Sequence, residues 1–189
     1  MNDRPQADSL VELEHQFQQA VADQVAAGEQ LVFGEGPSDA SLMLIGEAPG
    51  RREAATGRPF VGAAGTILDE ALRENGLARE QIYITNILKT RPPANRKPRR
   101  DEIQRQLPYL LRQIQLVKPL RMALLGTTAV EALTGSGERI SRLRGGWSEI
   151  EGIPALITYH PAAALRDPRL RRALAGDLRQ LTAAPAPVE

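Results

Sequence analysis

The chain has 189 residues, with 24 Lys and Arg against 23 Asp and Glu, for a formal net charge of +1. That length suits one domain with a proper core, and the overall charge balance names no partner. Having no cysteine excludes disulfides, thiolate nucleophiles and cysteine-ligated metal centres, and only two histidines argue against a polyhistidine site. The start, MNDRPQADSL, is polar and lacks the basic-then-apolar form of a signal peptide. No apolar run reaches the roughly 18 residues of a membrane span. These features predict a cytoplasmic protein with no membrane contact.

In chain order, residues 10–27 carry a rough helical pattern, and Gly34 and Gly36 mark a turn. SLMLIG, residues 41–46, reads as a buried strand, and the polar loop EAPGRREAATGRPFVG follows it. Residues 64–75 are helical and are stopped by Gly76. IYITNIL, residues 82–88, is a second strand, followed at once by an arm of bases and prolines. Asp101 suits the cap of a helix running to Val117, which Pro108 would kink or divide. RMALLG at 121–126 is a third strand, TTAVEALTG a short helix capped by Thr127, and PALITYH at 154–160 a fourth strand. A last helix starts at Pro168, and residues 183–189 read as a disordered tail behind a single domain, 1–182. Apolar strands alternating with helices predict an α/β fold, a three-layer α/β/α sandwich around a four-stranded, mostly parallel central sheet.

In such sheets ligands bind beyond the carboxyl ends of the strands. Three strands end in Gly46-Glu47-Ala48-Pro49-Gly50, Thr85-Asn86 and His160-Pro161, and a further corner is Gly126-Thr127-Thr128. Glu47, Asn86 and His160 therefore converge on one predicted pocket. Each admits two readings. Glu47 is a solvated turn residue, or a carboxylate aimed inward by a loop whose amides cradle an anion or carbonyl oxygen. Phe60 is core, or a platform for a planar ligand. Asn86 is a cap, or an amide whose acceptor and donors match a pyrimidine edge. His160 is structural, or a donor to a developing oxyanion. The loop is neither a Walker A nor a G-x-G-x-x-G phosphate loop.

The arm holds Lys89, Arg91, Arg96, Lys97, Arg99 and Arg100, stiffened by Pro92, Pro93 and Pro98. Further clusters are Arg139, Arg142 and Arg144, and then Arg166, Arg169, Arg171 and Arg172. Bases on several loops beside one pocket suit a polyanion crossing its mouth, whether DNA, RNA or a nucleotide phosphate.

GEAPG, GRPFVGAAGTILDEAL, IYITNILKTRPPANRKP, LPYLLRQIQLVKP and TYHPAAALRDP, in that order and spacing, closely resemble the family 4 uracil-DNA glycosylases. The resemblance runs from about residue 31 to 178. It implies a monofunctional DNA glycosylase that flips uracil out of single- or double-stranded DNA, hydrolyses its N-glycosidic bond and leaves an abasic site for base excision repair. It also implies that the protein acts as a monomer. Catalytic roles are implied for Glu47, Asn86 and His160. Gly46, Ala48, Pro49, Gly50, Phe60 and Asn86 are implied to bind the base. Lys89, Arg91, Arg96 and Lys97 are expected to hold DNA. The loop from Ala162 to Arg166 is expected to probe the minor groove and fill the gap left by the flipped base, with Ala164, Leu165 and Arg166 on the DNA and Leu165 or Arg166 as the gap-filling residue.

The sequence departs from the family in two places. The family holds a [4Fe-4S] cluster on four cysteines; here Thr90 and Gln106 stand at two of those positions, and EHQFQQAVADQV supplies none for the other pair. No metal and no cofactor are therefore expected, and an apolar or hydrogen-bonded plug is expected in the cluster's place. The wedge loop reads HPAAALR where relatives often have H-P-A-A-L-L-R, which leaves the small Ala164 in place of a Leu. Ala54 and Ala55 also replace common polar residues. A catalytically weak DNA-binding relative and a nucleotide-hydrolysing α/β protein are the competing readings. Joint retention of Glu47, Phe60, Asn86 and His160 disfavours the first, and the missing phosphate loop disfavours the second.

Overall fold

The computed structural model describes residues 5–182; the expected tail, 183–189, lies outside the described residues. The strands are β1 (Leu42–Gly46), β2 (Ile82–Asn86), β3 (Arg121–Leu125), β4 (Trp147–Ile150) and β5 (Ile153–Thr158). The helices are α1 (Leu10–Ala20), α2 (Arg51–Thr56), α3 (Ala63–Glu74), α4 (Arg100–Val117), α5 (Thr127–Thr134), α6 (Ile140–Leu143), α7 (Pro161–Ala164) and α8 (Pro168–Leu178). The sheet order is β2-β1-β3-β5-β4. The first four are parallel, and β4 pairs antiparallel with β5 at the edge.

The central sheet is thus mixed and five-stranded, not four-stranded. β4, WSEI, was hidden because an edge strand with a solvated face needs no apolar run: Trp147 is 41% exposed and Glu149 is exposed. Its turn is Glu151-Gly152, with φ 54° and 76°. Positive φ at both central residues is the geometry that tight hairpins require.

Strand residues alternate between two cores. Met43, Ile45, Met122, Leu124 and Ile157 pack with Leu110 and Ile114 of α4 and Ala129 and Val130 of α5. Leu44, Ile84, Ala123, Leu125 and Leu156 pack on the opposite face with Leu68 and Leu72 of α3 and Leu174 and Leu178 of α8. Each fully buried aliphatic chain contributes about 1.5–3 kcal/mol. Burial on both faces is why these strands read as continuous apolar runs.

Several expected boundaries shift. α1 ends at Ala20 rather than near residue 27. α4 runs unbroken through Pro108, and its N-cap is Arg99, whose amide donates to the Glu102 carboxylate, rather than Asp101. α5 is capped by Gly126, so Thr127 is its first residue and not its cap.

The segment at the missing cysteines is polar and internally bonded. The Gln106 side chain is fully buried. Its carbonyl accepts the Lys89 amide at 2.7 Å, and its amide donates to Thr90 Oγ1 at 2.8 Å and to Gln24 Oε1 at 3.4 Å. An apolar patch lies nearby, with Phe17 of α1 edge-on to Tyr109 of α4 at 4.8 Å. The plug is therefore hydrogen-bonded.

Lys89 is also fully buried, which corrects its expected place on the DNA surface. Its ammonium donates to Thr85 Oγ1 at 2.6 Å and to the Asn86 carbonyl at 2.7 Å, and burial pushes its pKa well below the usual lysine range. Lys89 belongs to the support of β2 rather than to the arm.

Replacing Gln106 by Leu strands the Lys89 amide and the Thr90 hydroxyl in the interior, a cost of roughly 2–3 kcal/mol. For a chain of this size the midpoint of thermal unfolding should fall by about 5–10 °C. Scanning calorimetry with and without an iron chelator checks this. The parent's transition should not respond to the chelator, and an unchanged midpoint in the variant would contradict the plug.

Candidate active site

β1 and β2 pair with Gly46 opposite Asn86, and β3 and β5 pair with Leu125 opposite Thr158. Beyond these pairs the chain crosses the carboxyl edge of the sheet. The Ile87 amide donates to the Gly46 carbonyl at 2.9 Å and the Leu88 amide to that of Glu47 at 3.0 Å, so GEAPG starts zipped to the continuation of β2. A cleft of about 200 Å³ opens there. Its lining includes Glu47, Ala48, Pro49, Gly50, Phe60, Asn86 and His160, which the sequence separates by up to 113 positions (160 − 47). Pro92, Asn95 and Arg96 from the arm close one side.

Gly46 is needed for this closure. A Cβ there would sit 2.4 Å from Asn86 Oδ1 and 2.5 Å from Phe60 Cζ. Asn86 is 2% exposed, and its Oδ1 is a buried acceptor with no hydrogen-bond partner among the described residues. Leaving such an atom unpaired costs about 1–3 kcal/mol, a cost that a ligand N–H offsets.

Phe60 has φ 51°, a region that bulky side chains avoid at a cost of order 1–3 kcal/mol. Two charged groups hold it there. The Arg79 guanidinium donates to the carbonyls of Pro59 at 2.6 Å and Phe60 at 3.3 Å, and is itself held by Asp69 at 2.8 Å and Glu35 at 3.4 Å. The Glu53 carboxylate accepts the amides of Gly50, Val61 and Gly62 at 3.2, 2.9 and 2.7 Å. With three amides on its two oxygens, Glu53 is a brace, not a second reacting carboxylate. Sequence reasoning missed both residues. The one available signal was the spacing of Glu53 three residues after Gly50, which is that of a capping box.

The His160 ring lies 5.6 Å from that of Phe60, tilted by 32°. Its Nδ1 accepts the Ala162 amide at 3.1 Å, which leaves the proton of the neutral ring on Nε2. Burial lowers its pKa to about 4, so at neutral pH the ring is an uncharged donor. Glu47 Oε2 accepts the Thr128 hydroxyl at 2.5 Å, another contact that the sequence did not reveal.

The basic arm differs from its expected form. Arg91 pairs with Glu29 at 2.6 Å, Arg96 with Glu102 at 2.6 Å and Lys97 with Glu131 at 3.2 Å. The arm is a cleft wall whose charges are partly neutralised. Ala164 is 2% exposed and packs in the core beside α3, so it does not reach outward; Leu165 is 44% exposed and Arg166 is exposed. Arg51 and Arg52 follow Gly50 directly, are exposed, and make no ion pair among the described residues.

The donor set at the cluster positions does not fit an iron–sulfur centre, which requires thiolates. An amide and a hydroxyl bonded to each other stand there, and the chain has no cysteine. Among the described residues no group of three or more His, Asp or Glu is placed to hold a metal ion. None of their helices is long and apolar enough to cross a membrane.

Residues 33–180 match the family described as the uracil DNA glycosylase superfamily. The chain is 44% identical over 155 residues to the type-4 uracil-DNA glycosylase of Pyrobaculum aerophilum, covering 78% of this chain and 79% of that one. With the type-4 enzyme of Saccharolobus solfataricus it shares 44% over 160 residues, 79% and 74% of the two chains. With that of Thermotoga maritima it shares 40% over 154 residues, 78% and 79%. The chain, with its glycine-floored cleft and its cysteine-free plug, belongs to the uracil-DNA glycosylase superfamily and within it to the type-4 uracil-DNA glycosylases.

Proposed function

We propose that this protein hydrolyses the N-glycosidic bond of deoxyuridine in DNA, releasing uracil and leaving an abasic site for base excision repair. The observation that carries the reading is the Asn86 Oδ1, buried without a hydrogen-bond partner among the described residues beside a cleft that Phe60 and His160 also line. A flipped uracil supplies what that cleft lacks: a flat face for Phe60, an N3–H for Asn86 Oδ1 and an O4 for Asn86 Nδ2. Cytosine presents an acceptor at N3 and a donor at N4, the reverse pattern, and leaves both Asn86 groups opposed.

Extrusion from the stack costs a few kcal/mol. Bond cleavage then places negative charge on the base and positive charge on the sugar. The neutral His160 donates from Nε2 to O2 as charge grows there, which is worth about 3 kcal/mol for one preorganised donor. Glu47 orients the attacking water or faces the cationic sugar. Exposed Arg51, Arg52 and Arg166 suit the DNA backbone, and Leu165 takes the wedge position that the buried Ala164 vacates. In this reading the protein is a cytoplasmic monomer of one domain, residues 1–182, arranged as three layers.

His160→Ala and Asn86→Ala should each lower the single-turnover rate of uracil release by at least about 100-fold while DNA affinity changes little. Asn86→Asp should begin to admit cytosine, because a protonated Asp donates to N3. Rates within a few-fold of the parent for both alanine variants would remove this pocket from the reaction.

The His160 ring also sets a pH signature. Its pKa is lowered from 6.5 to about 4. The unfolded chain therefore takes up a proton near pH 6.5 that the folded chain refuses until about pH 4. The contribution of His160 to stability is complete above pH 6.5 and is lost as pH falls toward 4. Denaturant titrations should show this slope in the parent and less of it in His160→Gln. The single-turnover rate should show no inflection near pH 6.5, where an ordinary histidine would titrate.

Replacing Arg51 and Arg52 by Ala should weaken binding to uracil-containing and normal duplex alike, and lower the slope of log K against log salt by roughly 1 unit per lost phosphate contact. An unchanged slope would move the DNA path elsewhere.

A further inference from the structure

The corner Gly126-Thr127-Thr128, between β3 and α5, stands out in the sequence but has no part in the chemistry described above. It touches both sides of the site. Gly126 has φ 91°, and a Cβ there would lie 2.7 Å from His160 Cβ. Two residues on, Thr128 is 2% exposed, and its hydroxyl donates to Glu47 Oε2 at 2.5 Å. Thr128 is the second residue of α5, so no carbonyl of its own helix lies a turn before it to take its hydroxyl. The hydroxyl goes to Glu47, and that is its one side-chain hydrogen bond among the described residues. Glu47 Oε1 makes no hydrogen bond to the protein among them.

We propose that Thr128 is a positioning residue for the reaction: it holds Glu47 in one orientation through Oε2 and so presents Oε1 to the water or the sugar. This rests on the reading of Glu47 as the reacting carboxylate. A glutamate has three side-chain torsions, and a hydrogen bond to one carboxylate oxygen restricts all of them. A hydrogen bond from a neutral hydroxyl to a carboxylate is charge-assisted and among the stronger polar contacts. Anchoring one oxygen fixes the other to within the tolerance that a near-attack geometry demands. The same corner leaves room for His160 through the absent side chain of Gly126. The corner after β3 thus holds Glu47 and leaves room for His160, while contributing no atom to substrate.

Val matches Thr in shape and lacks the hydroxyl, whereas Ser keeps the hydroxyl and lacks the methyl. Thr128→Val should slow single-turnover uracil release by at least about 10-fold with DNA affinity within about 2-fold, and Thr128→Ser should stay within about 3-fold of the parent. In a Glu47→Ala background Thr128→Val should add no further loss, since it acts only through Glu47. The proposal is overturned if the Val variant matches the parent, or if its loss is undiminished in the Glu47→Ala background. It is also overturned if Ser is the slower of the two, which marks the methyl as a packing group.

A readout that does not need activity separates this proposal from the reading it rests on. In chain labelled with carboxyl-13C glutamate, the Glu47 signal, assigned by its loss in Glu47→Gln, should move in Thr128→Val and stay near its parent position in Thr128→Ser. A parent that releases no uracil but shows this pattern sinks the proposed function and leaves the contact standing. A signal unmoved in Thr128→Val overturns the proposal whatever the activity.

Discussion

Register in the parallel sheet is the constraint on which the rest of the structure depends. Gly46 lies opposite Asn86 and Leu125 opposite Thr158, so β1, β2, β3 and β5 end at one edge. A slip of one residue in any pair would turn its side chains to the other face and expose what is buried. Because Met43 and Ile45 pack against α4 and α5 while Leu44 packs against α3 and α8, such a slip costs apolar burial on both sides at once. The hydrophobic cores thereby fix the positions of the polar residues that follow each strand. Asn86, Glu47 and His160 need no contact with one another to be brought together; they inherit their places from Ile84, Ile45 and Ile157.

Within that frame the site is held under tension by polar braces. Phe60 keeps an unfavourable backbone conformation because Arg79 grips two carbonyls and Glu53 grips the amides just after it. Lys89 supports the Asn86 carbonyl through its buried Nζ. Asn86 keeps an acceptor with no partner among the described residues. Each feature costs stability in the free protein.

The α/β class, the carboxyl-edge pocket and the residues Glu47, Asn86 and His160 as its lining were legible in the sequence, and Phe60 joined them through the family resemblance. They sit on apolar runs and glycine turns, which are local signals. What stayed hidden depends on tertiary surroundings. WSEI carries no apolar run because an edge strand buries one face only. Lys89 reads as part of a basic arm until the fold turns it inward beside Thr85. Arg91, Arg96 and Lys97 read as free charges because their partners Glu29, Glu102 and Glu131 lie on other segments. Ala164 reads as a DNA-facing loop residue, though too small to fill a base-sized gap, because chain position alone does not reveal that it faces α3. The absence of cysteine was plain, but the replacement of the cluster by Gln106, Thr90 and Gln24 needed the packing of α4 against the end of β2.

The central claim is that a pocket assembled from strand ends, and supported by a polar plug rather than a cluster, removes uracil from DNA. Its most direct test is the product of the purified, chelator-treated chain on one uracil-containing oligonucleotide, with excess enzyme and alkaline cleavage of abasic sites. The account expects conversion of the uracil site to an abasic site in a single turnover and none at cytosine in the same position. An intact uracil strand under those conditions, from a chain that is folded and binds the oligonucleotide, would contradict it.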